Sequence, residues 1–396
     1  MAPALTARLR SRHVDPMLGD CSLGMLRRRK SFKWRTYPED VLPAFVAEMD
    51  FDLAEPIKEA VRAAVAISDA GYAHIGRLGE VFAAYASERL GWSPDPARMF
   101  AVPDVMTGIA EMIMAVTPPG SGIVINPPVY TPFFYRIGFT GRRVVEAPLR
   151  RGADGRYDLD FDALDRVLDD DIVSAYLLCS PHNPVGRVWS RQQLLTVADL
   201  CLRHGKFLLV DEIHAPLVLP GAAQVPFLSL DHEATQAAIA FTSASKGWNI
   251  PGLKCGIAIA GSDELAGLLT QRWDALLAGN LGVLASVAAF EASRPWLEAA
   301  VAQFDENRRY LAQLLSEHLP AVRYVPPEAS FLAWLDCTSL GLGDDPAAAF
   351  LARGRVALAA GPDFGTPGKG FARLNMGTSP ALMLAAVQRM AATTAV

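Results

Sequence analysis

The sequence predicts an α/β fold in which parallel strands lie buried under helices, joined to a smaller α+β unit. Three observations carry that reading. Short apolar runs at 123–125, 175–179, 207–210 and 237–241 each stop at a polar or proline-broken segment, as strands buried on both faces do. Between the second and third runs lies a helical pattern opened by a capping box, Ser190 with Gln193, and closed by Gly205, so strand, helix and strand alternate. A chain of 396 residues, 51% hydrophobic and 20% charged, can fill one large domain and a smaller one.

Composition excludes several classes of function. A net charge of −5 argues against nucleic-acid binding, and no apolar run approaches the ~18 residues of a membrane span. The five cysteines are scattered and form no C-x-x-C pair, which points to neither a disulfide framework nor a zinc site and fits a reducing cytoplasm. The N-terminal stretch has basic residues but no apolar segment beside a small-residue cleavage site, so no secretory signal is expected.

Taken in order, residues 1–30 lack periodicity and read as a loosely packed lead-in. The basic cluster Arg27, Arg28, Arg29, Lys30, Lys33 and Arg35 reads as solvated charge on a first helix or an oligomer rim. Prolines bracket 41–51, an apolar segment expected to cross the body of the protein in extended form. A helix follows over 55–69, with Pro56 near its start and Ile57, Val61, Ala64 and Val65 on one face, and another over 78–90. The loop between them carries Tyr72 and His74, which by themselves read as a loop packed by its own aromatics. A strand at 100–102 turns through Asp104 into a helix over 109–116. That turn offers unpaired N–H groups to a phosphate, or is a plain connection capped by Asp104. Tyr130, after the strand at 123–125, reads as a core or lid residue or as a ring lying flat on an aromatic ligand. In the last third, helices are expected near 263–278, 283–292 and 296–318, and strands at 322–325, 330–335 and 371–375.

The chemistry concentrates on 237–260, where Lys246 sits at a turn between apolar runs. Burial lowers the pKa of an amine, and an amine neutral near pH 7 forms a Schiff base with an aldehyde. Asn183, Asp211 and Lys246 all fall at the carboxyl ends of predicted strands, where ligands sit in such sheets. A carboxylate at the end of an apolar strand needs a cationic partner, so Asp211 is expected either in a salt bridge or against a protonated pyridine nitrogen.

Asn183-Pro184-x-Gly186, Asp211-Glu212-x-His214 and Ser243-x-Ser245-Lys246 together resemble the fold-type I pyridoxal-phosphate enzymes of the class I/II aminotransferase group. More narrowly, K-W-x-x-Y-P, V-L-P-x-F-V-A-E-M-D-F, N-P-P-V-Y-x-P-F, C-S-P-H-N-P-V-G-R-V-W and D-E-I-H resemble its cystathionine β-lyase branch, the MalY/PatB-like C–S lyases, from about Ser31 onward. The resemblance implies a three-layer α/β/α large domain over 55–292, a small domain from 31–54 and 293–396, a homodimer, and pyridoxal 5′-phosphate. It implies that Lys246 carries the Schiff base and shuttles the α-proton, that Asp211 binds the pyridinium nitrogen, and that Asn183 and His214 flank the phenolic oxygen. Tyr130 would stack on the ring; Val105, Met106, Ser243, Ser245 and Lys254 would hold the phosphate, with Tyr72 reaching the partner's. Arg373 would grip the substrate carboxylate near Ala47. Lys254 stands where many relatives have arginine, His214 where many have tyrosine, Asp104 where glycine is common, and Glu48 where the branch usually has aspartate. The expected activity is β-cleavage of cystathionine or another cysteine S-conjugate. The alternatives are transamination, another outcome such as oxidative deamination of an S-conjugate, and, from a different class, a regulator that uses the fold to bind cofactor or a partner protein.

Overall fold

The computed structural model describes residues 14–272 and 275–394. Its centre is a seven-stranded sheet made of β1 (Met99–Val102), β2 (Gly122–Ile125), β3 (Arg143–Glu146), β4 (Val173–Cys179), β5 (Phe207–Asp211), β6 (Ala238–Thr242) and β7 (Gly256–Ala260). In space they run β1-β7-β6-β5-β4-β2-β3. The pairs from β6 through β3 are parallel, and only β7 runs antiparallel to both neighbours. This is the mainly parallel α/β sheet that the apolar runs predict. Because β7 runs backward, the loop that enters it lies at the same sheet edge as the carboxyl ends of the other strands.

Side-chain alternation divides these strands between two cores. Tyr176, Leu178, Leu208 and Val210 pack with Leu194 and Val197 of the helix Arg191–Arg203, while Ala175, Leu177, Leu209 and Phe241 pack with Ile109, Met112 and Ile113 of the helix Val105–Val116. Helices therefore cover both faces, giving three layers. The second helix lies close to the sheet: a Cβ on Gly108 would sit 3.0 Å from the Phe241 ring. The capping box of Ser190 and Gln193 is formed as expected.

A four-stranded antiparallel sheet follows, β8 (Arg323–Tyr324), β9 (Leu332–Asp336), β10 (Ala359–Ala360) and β11 (Phe371–Asn375), in the order β8-β9-β11-β10. A third core joins it to the helices Glu55–Ala66, Leu78–Leu90, Asn280–Ala292 and Arg294–His318.

Several elements differ from expectation. The lead-in is not loose where it is described: Leu18 and Leu26 are fully buried, and residues 1–13 lie outside the described part. Lys33 is not solvated; it is 1% exposed and donates to Asp50 at 2.7 Å. Arg29 likewise turns inward, donating to the carbonyls of Met49, Asp50 and Phe51. The segment at 41–51 begins extended, pairing Leu42–Pro43 with Val356–Ala357, and then bends at Val46 and Ala47. The helix expected at 109–116 begins at Val105, because the Asp104 carboxylate caps the N–H of Thr107 at 2.8 Å. The helix near 263–278 is described as Asp263–Gln271, with residues 273 and 274 outside the described part. Lys246 lies on a one-turn helix, Ala244–Gly247, rather than in a bare turn, since the Ser243 hydroxyl accepts the Ser245 N–H and starts the coil.

Candidate active site

A cavity of about 230 Å³ opens at the carboxyl edge of the large sheet. Ala47, Val105, Met106, Tyr130, Asn183, Asp211, His214, Ser245, Lys246 and Lys254 line it, ten of the thirteen residues expected at the site. They arrive from seven segments of the chain, and strand ends fix most of them. Asp211 is the last residue of β5 and Asn183 follows β4. Val105 and Met106 follow β1, and Lys254 precedes β7.

Lys246 is half-buried and its Nζ donates to the carbonyl of Ala47 at 2.9 Å. Enclosure of the ammonium and the nearby Arg373 guanidinium push its pKa down to about 8, against the pull of Asp211 and Glu48. A minority of the amine is therefore neutral near pH 7, growing as pH approaches 8, and that is the form that attacks a carbonyl or accepts a proton.

Asp211 is 3% exposed and accepts one hydrogen bond, from the Ile213 N–H at 3.0 Å. No lysine, arginine or histidine among the described residues forms an ion pair with it, so the salt-bridge alternative fails among them. Burial raises its carboxyl to about 6, opposed by that N–H and by Lys246. A buried carboxylate without a contacting cation on a cavity wall is poised for a cationic ligand. His214, 3% exposed, has an Nδ1 without a partner among the described residues, and burial with the charges of Lys246 and Arg373 drives its pKa down to about 3. It is a neutral imidazole at any working pH.

Asn183 Oδ1 accepts from Arg373 at 3.1 Å, and the same guanidinium donates to the carbonyl of Phe45 at 2.9 Å. Arg373, on β11, is 5% exposed, lies 4.9 Å from the Phe364 ring, leaves its Nε unpartnered and has no carboxylate partner among the described residues. Burial lowers its pKa to about 10, so it stays charged at neutral pH. A planar, charged fork without a counter-ion is suited to a carboxylate.

At the same cavity, the N-terminus of the helix Val105–Val116 presents the N–H groups of Val105 and Met106 beside Lys254 and Ser245, that of Thr107 being taken by the Asp104 cap. Asp104 does not repel an anion there unopposed, because its second oxygen accepts from Lys254 at 3.0 Å while the first caps the helix. Lys254 has φ +59°, a left-handed conformation that is costly for a side-chain-bearing residue and lies at the cavity wall.

Three expected residues lie off the wall. Ser243 is buried, its hydroxyl donating to the Cys255 carbonyl at 2.6 Å and accepting from Ser245. Arg373 reaches the cavity through Asn183. Tyr72 is 93% exposed and bridges Gly279 through its backbone. Glu48 accepts from the Ser31 hydroxyl at 2.6 Å, while Asn375 holds the carbonyls of Val46 and Glu48. Sequence reasoning missed Pro132, Tyr135, Arg136, Cys179, Ile213, Pro251 and Cys255 as wall residues. Cys179, Ile213 and Cys255 adjoin strand ends or assigned residues and could have been found that way; Tyr135 and Arg136 lie on the helix Pro132–Phe139 beyond the N-P-P-V-Y-x-P-F run, which stops at Phe133.

Residues 62–390 match the family model described as aminotransferase class I and II. A Mycobacterium leprae protein provisionally named cystathionine β-lyase is 42% identical, over 94% of this chain and 97% of its own length. The Bacillus subtilis protein named cystathionine β-lyase PatB is 35% identical over 92% and 96%. Among solved structures, cystalysin from Treponema denticola, described as containing a pyridoxal 5′-phosphate cofactor, superposes with a TM-score of 0.88 at 26% identity, covering 93% of this chain and 96% of that one.

Proposed function

The chain belongs to the aminotransferase class I and II family, and on that premise we propose that it is a pyridoxal-phosphate-dependent carbon–sulfur β-lyase acting on cystathionine or a related cysteine S-conjugate. The residues present fit that cofactor. Its aldehyde needs an amine that is partly neutral at pH 7, as Lys246 is. Its ring nitrogen needs a buried carboxylate without a counter-ion, as Asp211 is. Its phosphate needs N–H groups and cations, which Val105, Met106, Ser245 and Lys254 supply, and Tyr130 offers a ring face. The observation that carries the reading is one cavity that holds both a lysine of lowered pKa and a buried aspartate with no ion-pair partner among the described residues.

When bound, the cofactor supplies an electron sink for the pair left when the substrate's α-C–H bond breaks. The remaining steps belong to the chain. Arg373 clamps the α-carboxylate and fixes the α-carbon. Neutral Lys246 takes the α-proton, leaving its bond to the Ala47 carbonyl. Asp211 would hold positive charge at the cofactor's ring nitrogen, and Asn183 with uncharged His214 would hold its phenolic oxygen. The Cβ–S bond then breaks, its electrons leave with the sulfur as thiolate, and water converts the three-carbon remainder to pyruvate and ammonia.

In this reading residues 31–54 and 293–396 act as a small domain that brings Arg373 over residues 55–292. The exposed Tyr72 would serve a second copy of the chain in a homodimer, and the five buried, unpaired cysteines suit a reducing cytoplasm. Incubation with L-cystathionine and no keto acid tests the proposal. Sustained release of pyruvate and free thiol supports it. Conversion of one equivalent per site, resumed only when a keto acid is added, would replace it with transamination.

A further inference from the structure

We propose that Arg136 binds a carboxylate carried on the sulfur side of the substrate, so that this chain selects cysteine S-conjugates with an acidic leaving group. The proposal rests on the lyase reading above. Each of the other cations of the site has a partner or a task. Lys246 holds the Ala47 carbonyl and is the proposed base. Lys254 is paired with Asp104 beside the helix N-terminus. Arg373 is bound to Asn183 and Phe45 and is assigned the α-carboxylate.

Arg136 is different. It lies on the helix Pro132–Phe139, six residues beyond Tyr130, and lines the same cavity. It is half-buried, and among the described residues its side chain makes neither an ion pair nor a hydrogen bond. A guanidinium stays charged at every working pH, and a partly dehydrated one facing a cavity attracts an anion. Its planar fork matches a carboxylate with two parallel hydrogen bonds. Pro132 and Tyr135 line the wall beside it, and Tyr135 is braced edge-on against Phe139 with ring centroids 6.2 Å apart. The wall thus offers an apolar approach with a cation, the arrangement for a short carbon chain ending in an acid. The cofactor's phosphate would be the other anion within the cavity, but the Val105 helix terminus, Ser245 and Lys254 would answer it.

The test uses an isosteric pair, S-(2-carboxyethyl)-L-cysteine and S-(2-carbamoylethyl)-L-cysteine, with the cofactor-loaded protein and its Arg136→Gln variant. The expected result is that kcat/KM for the acid falls by about 10- to 100-fold in the variant, the loss of one charge-assisted pair, while that for the amide falls by less than about threefold. Equal losses for both conjugates, or none, would overturn the proposal. So would a weaker affinity for pyridoxal 5′-phosphate with unaltered selectivity, which would assign Arg136 to the phosphate. Calorimetric binding of the same pair to cofactor-loaded Lys246→Ala protein, with and without Arg136→Gln, reads selectivity without turnover. A preference for the acid that Arg136→Gln abolishes supports the assignment even if neither conjugate is cleaved, an outcome that would sink the lyase reading alone. Equal binding of acid and amide by the Lys246→Ala protein would overturn it.

Discussion

Replacing Lys33 by methionine probes the segment that roofs the active site. Lys33 and Asp50 are 1% and 3% exposed, 2.7 Å apart, and Lys33 also donates to the Glu48 carbonyl at 3.0 Å. Their bonds pin residues 48–50, immediately beyond Ala47, whose carbonyl holds Lys246. Methionine fills the space of the lysine stem but strands the Asp50 carboxylate in the core. Breaking a buried pair this way costs about 3–5 kcal/mol. Replacing both partners, as Lys33→Met with Asp50→Leu, removes the stranded charge as well, so the double variant should recover most of the loss. The assay is a double-mutant cycle on urea midpoints at pH 7, with m-values checked for constancy. A Lys33→Met loss below about 1 kcal/mol, the range of an exposed pair, would refute the reasoning, as would a double variant no more stable than the single one.

Other perturbations follow from the same physics. Glu212, 4% exposed beside Asp211, has its carboxyl raised from 4.5 to about 8 by burial, against the Phe227 N–H and with Asp211's charge adding to it. Folding favours its neutral form, so its contribution is full below pH 4.5 and is lost as pH rises through 8. The unfolding free energy of cofactor-free protein, from urea melts, should fall between pH 5 and 8 by up to about 1.4 kcal/mol per pH unit, and Glu212→Gln should flatten that slope; an unchanged slope would remove Glu212 as its source. Asp211→Asn should lower kcat by about 100-fold or more while cofactor still binds, since an amide cannot hold charge at the ring nitrogen; near-normal kcat would reassign that carboxylate. Lys254→Ala should raise the cofactor dissociation constant about tenfold and change the stability of cofactor-free protein by less than about 1 kcal/mol, its pair with Asp104 being exposed. Equilibrium titration and urea melts check both.

The strand ends were legible because buried parallel strands must be apolar and must stop at polar residues. That rule brought Asn183, Asp211 and Lys246 to one sheet edge before any coordinates. Arg373 was not legible on those grounds; it lies 127 residues beyond Lys246 on another sheet, and only resemblance singled it out. Lys33 was misread because charge on a short N-terminal helix is ordinarily solvated, and its partner Asp50 sits in an irregular segment with no period. Arg136 escaped notice because a single arginine on an eight-residue helix carries no motif, and its meaning depends on which wall that helix presents.

The most direct test compares pyruvate release from L-cystathionine, without keto acid, by cofactor-loaded protein and by its Lys246→Ala variant. The account predicts many equivalents of pyruvate per site from the first and a rate lower by about 1,000-fold or more from the second. Comparable rates from the two proteins would contradict the assignment of proton transfer to Lys246, and with it the account of this site.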